Sequence, residues 1–232
     1  MAIIVLKDIN KTYQSGEVSV VAAKNITLEI SEGSFVSFVG PSGSGKSTLL
    51  NLMGCLDRPT TGSILVFGSR VDTLDRVERA KFRGNHLGFI FQNFSLMPIL
   101  TVFENVEYPL VMVRSMPKEE RREKVRSLLE KVGMLDQMEK YPNQISGGQK
   151  QRVAVARALV TNPKIVLADK PTANLDSESA MQVIRVMHRM QEELGTTFIF
   201  STHDPKIVDE AEIIYNLKDG AIVNRTDRKM KG

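Results

Sequence analysis

Residues 34–50 read SFVSFVGPSGSGKSTLL. The first six letters are typical of a short strand, and a helix is expected from about Lys46 to about Leu56, where Asp-Arg-Pro stops it. Between them, GPSGSGKS (Gly40–Ser47) fits the pattern G-x-x-x-x-G-K-S. This strand, glycine-rich turn and helix predict an α/β domain with a loop whose backbone N–H groups point at a phosphate.

The loop carries the chemistry that a nucleotide triphosphate needs. Gly43 and Gly45 let the backbone curl, and the helix N-terminus adds its positive end. Lys46 can reach the β- and γ-phosphates, and the Ser47 hydroxyl is placed to ligate magnesium. The alternative interpretation of these residues is a flexible serine-glycine turn. The presence of the full motif between a strand and a helix argues against it. The predicted nucleotide-binding residues of the loop are Gly40, Pro41, Ser42, Gly43, Ser44, Gly45, Lys46, Ser47 and Thr48.

Composition excludes several classes of protein. Hydrophobic residues make up 42% and charged residues 25% of 232, which is ordinary for a globular protein. The longest apolar runs, such as Ile165–Ala168, are strand-sized, and the first residues do not resemble a signal peptide. The lone Cys55 forms no internal disulfide and is expected in the core. The net charge of +4 singles out no ligand, and the basic stretch 225–232 is expected to be a solvated terminus.

The order of patterns along the chain predicts the domain organisation. Strand patterns dominate the first third, residues 100–160 are helix-compatible, and the last third alternates strands with helices, which implies a mainly parallel sheet covered on both sides. We expect a P-loop NTPase α/β core with a mainly parallel sheet and an antiparallel β portion near the N-terminus. This core is assigned to residues 1–92 and 161–232, with an all-helical subdomain inserted at 93–160.

Two further segments point to the same chemistry. IVLADKPTANLD (residues 165–176) begins as a buried strand that ends in Asp169, a carboxylate suited to magnesium. ISGGQKQRVAVARALV (residues 145–160) begins with Ser146 as a helix N-cap and forms a second helix-terminus anion site. One chain that binds one nucleotide does not need two anion sites. The simplest arrangement is therefore a head-to-tail dimer, in which the SGG segment of each subunit covers the γ-phosphate held by the phosphate loop of the other.

Taken together, GPSGSGKST, Phe91–Gln92, ISGGQ, IVLAD and STHD resemble the nucleotide-binding subunit of an ATP-binding-cassette (ABC) transporter. The resemblance covers about Ile4–Gly220, and LLNLMGCLDRPTTG and FIFQNFSLMPILTVFENVEYPL resemble the lipoprotein-release and macrolide-export group. It implies an ATPase that uses ATP and Mg²⁺ and pairs with a second copy or a paralogous ATPase. It also implies an integral-membrane permease as partner, no nucleic acid, and a peripheral position on the cytoplasmic face of the inner membrane.

The resemblance also implies roles for single residues. Tyr13 would stack on adenine, Asp176 would line the dimer interface near the attacking water, and His203 would hydrogen-bond the γ-phosphate. Gln92 would complete the magnesium and water shell and relay nucleotide state to the membrane partner. The signature that reaches across the dimer is Ser146, Gly147, Gly148 and Gln149, and the metal ligands are Ser47, Gln92 and Asp169. His86 and His188 have no pattern around them and are expected on the surface.

Lys170 stands where the family has a glutamate that polarises the attacking water. An ammonium cannot accept a proton, and general-base assistance is typically worth about 10² to 10⁴ in rate. Its charge also attracts a triphosphate, so the sequence predicts intact binding and slow hydrolysis.

Three explanations of Lys170 stay open: a hydrolysis-impaired ATPase, a catalytically degenerate half of a heteromeric pair, or a lysine that points away. We favour the first, because every other motif is intact. The rival functions are a non-transporting regulator of the division type, a soluble cassette ATPase of DNA repair or translation, and an ATP-gated binding module.

Overall fold

The structure, a computed structural model, describes residues 1–113 and 116–228, with the side chain of Ser15 left out. Within these residues the strands are β1 (Ala2–Ser15), β2 (Val18–Ser31), β3 (Phe35–Val39), β4 (Thr61–Val66), β5 (Ser69–Arg70), β6 (Leu87–Ile90), β7 (Ile165–Asp169), β8 (Thr197–Thr202), β9 (Ile213–Lys218) and β10 (Ala221–Asp227). The α-helices are α1 (Lys46–Met53), α2 (Arg76–His86), α3 (Val102–Val113), α4 (Lys118–Lys131), α5 (Gly147–Leu159), α6 (Ser177–Leu194) and α7 (Pro205–Val208).

The strands form two sheets. The smaller sheet has the order β2-β1-β4-β5 and is antiparallel. The larger has the order β10-β9-β3-β8-β7-β6 and is parallel from β9 to β6, with β10 pairing antiparallel at its edge. A mainly parallel sheet with helices and an N-terminal antiparallel sheet is the predicted fold class, which is confirmed.

The parallel strands are buried on both faces, so their side chains divide between two hydrophobic cores. Phe35, Phe198 and Phe200 pack with α5 and α6 on one face. Val36 and Phe38 pack with α1 and the antiparallel sheet on the other. Near-continuous apolar runs such as FVSFV and IVLAD follow from this double burial.

The helices of the middle of the chain pack through apolar stripes. In α4 the predicted spacing is confirmed, because its apolar residues are buried while the charged remainder faces outward: Val125, Leu128, Leu129 and, just beyond the helix, Val132. The limits 93–160 for a helical subdomain remain a prediction.

Three local features differ from the sequence analysis. Helix α1 ends at Met53 rather than near Leu56, because Gly54 caps it and Cys55 turns the chain at a φ of +54°. Helix α2 was not predicted, since its mean hydropathy is low and none of its residues is buried. Strand β10 includes residues 225–227, so the start of the expected terminus is paired with β9, although Arg225 and Asp227 are exposed; residues 229–232 lie outside the described residues.

Both histidines expected on the surface also pack against aromatic rings. The ring of His188 stacks on Phe35 with 3.9 Å between centroids, and its Nε2 lies 2.7 Å from the Glu210 carbonyl oxygen. The ring of His86 contacts Phe67 and Phe82. Both side chains are half-buried rather than fully exposed, because these ring contacts cover part of each imidazole.

Two expectations about burial and membrane spans can also be compared with the structure. Cys55 is 1% exposed, and burial raises the pKa of its thiol to about 11. Its place in the core is thus confirmed. Among the described residues, no helix is long and apolar enough to cross a membrane.

A tight crossing of β6 and α5 supports a stability prediction. A Cβ on Gly88 would lie 2.4 Å from the backbone oxygen of Ala158, which cannot move without distorting α5. We expect Gly88→Ala to lower the free energy of unfolding by about 1–3 kcal/mol, measured by urea denaturation. Gly84→Ala is the control, because its Cβ would meet only side-chain atoms of Val113, the nearest being two methyl groups at 3.1 and 3.4 Å. Equal stability of the two variants would contradict this account.

Candidate nucleotide-binding site

The loop between β3 and α1 requires glycine at both of its ends. Gly40 has a φ of +156°, and a Cβ there would lie 2.2 Å from the Leu217 carbonyl oxygen. Gly45 has a φ of +100°, and its Cβ would lie 2.3 Å from the Ala22 carbonyl oxygen. Neighbouring backbone therefore excludes any side chain at these two positions and fixes the path of the loop.

The N-terminus of α1 is left without a side-chain cap. Its N-cap is Gly45, which offers no acceptor. By contrast, Asp75, Ser146 and Asp176 cap α2, α5 and α6 with side-chain oxygens. The first amides of α1 are thus available to an external anion, and the helix dipole favours one there.

The loop's own oxygens hold Lys46. Its Nζ donates to the carbonyl oxygens of Gly40 and Pro41, both at 2.7 Å, and to Ser44 Oγ at 3.2 Å. These contacts use the three donors of an ammonium. Burial lowers the pKa of Lys46; the nearby charge of Lys170 lowers it further, and Asp169 opposes both.

A cavity of about 330 Å³ lies beside the loop and brings together three of the predicted elements. Tyr13 lies on one side, the phosphate loop on another and Lys170 on a third. Its lining comprises Tyr13, Val20, Val21, Ala22, Ser42, Gly43, Ser44, Gly45, Lys46, Ser47, Thr48 and Lys170.

Asp57 orients the Tyr13 ring. The Tyr13 hydroxyl donates to Asp57 Oδ2 at 2.8 Å, while Lys11 Nζ donates to Asp57 Oδ1 at 2.8 Å and lies 4.7 Å from the ring centroid. Burial and the bond to Asp57 raise the pKa of Tyr13. No sequence motif marks Asp57, so its contact with Tyr13 could not be predicted.

Ser201 connects the end of β7 to β8. Its hydroxyl donates to Asp169 Oδ1 at 2.6 Å and accepts from the Lys170 backbone N–H at 2.9 Å. Lys170 itself has a φ of +47°, in the left-handed region that costs a non-glycine residue about 1–2 kcal/mol. This turn places the Lys170 side chain in the cavity wall. Ser201 belongs to the STHD segment, which could have identified it.

Gly40, Pro41 and Asp169 lie just outside the cavity lining, and so do three residues with other predicted roles, Gln92, His203 and Asp176. Gln92 follows β6, and its carbonyl oxygen accepts from Asn174 Nδ2 at 3.1 Å. His203 follows β8 and is exposed. Asp176 Oδ1 accepts from the backbone N–H groups of Glu178 at 3.1 Å and Ser179 at 2.9 Å, and such bonds lower its pKa. Their predicted roles stay predictions.

The segment Ser146–Gln149 lies beside the N-terminus of α6. Ser146 Oγ accepts from the Gln149 N–H at 3.3 Å, and the Gln149 side chain accepts from the Ser146 N–H at 2.8 Å, as a capping box. A Cβ on Gly147 would lie 3.3 Å from Leu175, and one on Gly148 would lie 3.0 Å from Ser179. Among the described residues, no member of this segment lines the cavity beside the phosphate loop.

The donor chemistry of the site fits magnesium. Ser47 lines the cavity, and Ser201 holds the nearby Asp169 carboxylate by one oxygen. In the described part of the chain, no group of three or more His, Cys, Asp or Glu side chains could enclose a metal. One or two oxygen ligands completed by phosphate and water is the usual protein environment of Mg²⁺.

Comparisons with known proteins give one consistent result. The family model described as ABC transporter matches residues 23–173. An uncharacterized ABC transporter ATP-binding protein of Methanocaldococcus jannaschii, MJ0796, is 44% identical over 230 residues, covering 98% of this chain and 97% of that protein. A solved dimer of the cassette MJ0796 in a post-hydrolysis state, bound to ADP and Pi, has a TM-score of 0.89 over 98% of this chain and 100% of that one, at 44% identity.

A second relative is much longer than this chain. The macrolide export ATP-binding/permease protein MacB of Syntrophobacter fumaroxidans is 45% identical over 223 residues. The match covers 96% of this chain and 31% of MacB, so this chain spans about a third of that relative.

Two buried serines allow a matched test of the bond that holds Asp169. Ser201→Ala leaves the Lys170 N–H and an Asp169 oxygen without their partner, so we expect a loss of about 1–3 kcal/mol in the free energy of unfolding. Ser37→Ala is the control, because Ser37 is equally buried and its hydroxyl has no partner among the described residues. Chemical denaturation measures both variants, and a loss at Ser37 as large as that at Ser201 would contradict the assignment.

Proposed function

The chain belongs to the ABC transporter family as an ATP-binding subunit, and we propose that it is the motor subunit of a transporter. It is an ABC-type ATPase by family. In the proposed function, ATP closes two copies into a dimer, hydrolysis reopens it, and a membrane permease receives the motion. The observation that carries the proposal is the cavity formed by the uncapped N-terminus of α1, Tyr13 and Lys170.

The cavity accounts for the binding of a nucleotide triphosphate. The bare amides of the loop and of α1 would donate to the phosphates, and Lys46 would exchange its loop carbonyls for phosphate oxygens. The Tyr13 ring, oriented by Asp57, would stack on adenine between the loop and β2. The proposed metal ligands are Ser47, Asp169 and Gln92. These oxygens would hold Mg²⁺, which would supply positive charge next to the phosphates.

A head-to-tail dimer would give the signature a ligand. Ser146 and Gly147 begin a helix of 13 residues whose N-terminus lies outside the cavity of its own chain. In the proposed dimer this terminus would cover the γ-phosphate held by the other copy, with Asp176 and His203 nearby. The solved relative MJ0796, bound to ADP and Pi, is itself dimeric.

Lys170 would make this motor slow. Its side chain lines the cavity where the family's glutamate would accept a proton from the attacking water. An ammonium has no lone pair that can accept a proton, so it supplies no general base. The resulting loss is about 10² to 10⁴ in turnover, while binding is retained. The same observation favours the second candidate, an ATP-gated binding module that closes without turnover, either as a non-transporting regulator or as the degenerate half of a heteromeric pair.

The proposed permease contact is an exposed apolar surface on and before α3. Ile99 is 82% and Met112 65% exposed, with Phe91, Tyr108 and Val111 also exposed. Single exposed apolar residues are ordinary, but several along one helix and the segments before it are typical of a partner surface. Phe91 adjoins Gln92, which would connect this surface to the nucleotide. With a permease there, the subunit would sit on the cytoplasmic face of the inner membrane.

The charge at position 170 gives the direct test of turnover. We expect Lys170→Glu to hydrolyse ATP about 10² to 10⁴ faster than the unchanged protein, since it restores a general base. Phosphate release under saturating Mg-ATP measures the rates. Lys170→Gln, which removes the charge without adding a strong base, should remain slow. Turnover by the unchanged protein as fast as that of Lys170→Glu would contradict the proposal.

ATP-induced dimerisation tests the proposed role of the signature. Ser146→Ala and Asp75→Ala each remove a capping box, at α5 and α2, and each should cost about 1 kcal/mol of stability. We expect only Ser146→Ala to abolish the dimer formed with ATP, as measured by light scattering after gel filtration. If both variants dimerise like the unchanged protein, the signature does not lie in the interface.

A further inference from the structure

Both charged residues in the wall of the cavity beside the phosphate loop carry a positive charge. Lys46 and Lys170 line it, and no Asp or Glu is among the described residues of the lining. Asp169, just outside, adds one negative charge. The two lysines and Asp169 therefore sum to +1, and a glutamate at position 170 would make the same sum −1.

The ammonium groups of the two lysines differ in how many hydrogen bonds they make within the protein. Lys46 Nζ already donates to Gly40, Pro41 and Ser44. The hydrogen bonds of Lys170 are made by its backbone, from its N–H to Ser201 Oγ and from the Ala173 N–H to its carbonyl oxygen. In the described part of the chain, no atom accepts a hydrogen bond from Lys170 Nζ. Its three donors are thus open to phosphate oxygens from the cavity wall.

A divalent cation bound with a triphosphate serves chiefly to neutralise charge on the phosphates. A fixed ammonium at the same phosphates supplies part of that neutralisation without a metal. An ammonium about 4 Å from a phosphate oxygen, at a surface-like effective dielectric, raises the affinity for the triphosphate by a large factor even after desolvation and screening.

We infer that Lys170 replaces part of the charge of Mg²⁺, so that this cassette binds ATP almost as tightly without a divalent metal as with one. The inference rests on the proposed function, because it concerns the same phosphate site. Lys170 would thus determine binding specificity, because its charge would allow the site to bind ATP that carries no metal.

Equilibrium binding of the non-hydrolysable analogue AMP-PNP tests the inference without any need for turnover. Titration calorimetry would compare the unchanged chain with Lys170→Glu, each in Mg²⁺ and in excess EDTA. We expect the dissociation constant of the unchanged chain to change less than about threefold when the metal is removed, and that of Lys170→Glu to rise about tenfold or more.

Two further variants separate the charge from the size of the side chain. Lys170→Arg keeps the charge and should retain metal-free binding, whereas Lys170→Met keeps most of the volume and should lose it. Circular dichroism would establish that each variant is folded, and Lys170→Met gives the comparison if Lys170→Glu does not fold.

The outcomes distinguish this inference from the proposed function. Equal dependence on Mg²⁺ in the unchanged chain and in the variants without the positive charge overturns the inference alone. Binding by the unchanged chain only in Mg²⁺ also overturns it and leaves the ATP-binding function standing. Absence of AMP-PNP binding in both conditions overturns both.

Discussion

The parallel pairing of β3, β8 and β7 is the constraint on which the rest of the site depends. Val39 pairs with Thr202, and Asp169 pairs with Ser201, so three strands end at one edge of the sheet. A slip of one residue would exchange the faces of every side chain on a strand. In β7 that slip would exchange Leu167 and Ala168 between the two cores and move Asp169 away from Ser201. Packing on both faces therefore fixes the position of the Asp169 carboxylate.

Sequence patterns predicted the parts of this arrangement that are local. The strand, loop and helix around Gly40–Ser47 are encoded by adjacent residues, and Ser146 caps α5 through a motif of four residues. Apolar spacing does not predict helix α2, because none of its residues is buried. The sequence feature that marks its start is the capping box of Asp75 and Glu78. Contacts made through distant parts of the chain could not be predicted. Asp57 lies 44 residues from its partner Tyr13, and His188 stacks on Phe35 from another element.

Binding and turnover at this site have separate physical origins. Backbone amides, the dipole of α1 and the ammonium of Lys46 would attract phosphate whichever residue stands at position 170, although the charge of Lys170 lowers the pKa of Lys46. Activation of water depends on a base, and position 170 carries a cation at the end of β7. A single substitution can therefore remove one function while strengthening the other. The backbone of Lys170 is left-handed, and the residue lines the cavity.

The seven residues from Lys170 to Asp176 connect the cavity to two other predicted functional segments. Lys170 lines the cavity, Asn174 donates to the carbonyl oxygen of Gln92, and Leu175 packs beside Gly147. Bonds from the Ala173 N–H to the Lys170 carbonyl oxygen and from the Leu175 N–H to that of Thr172, both 3.2 Å long, make consecutive turns of the segment. Through these contacts, one short stretch of chain touches the cavity wall, the residue after β6 and the start of α5, which are distant from one another in the sequence.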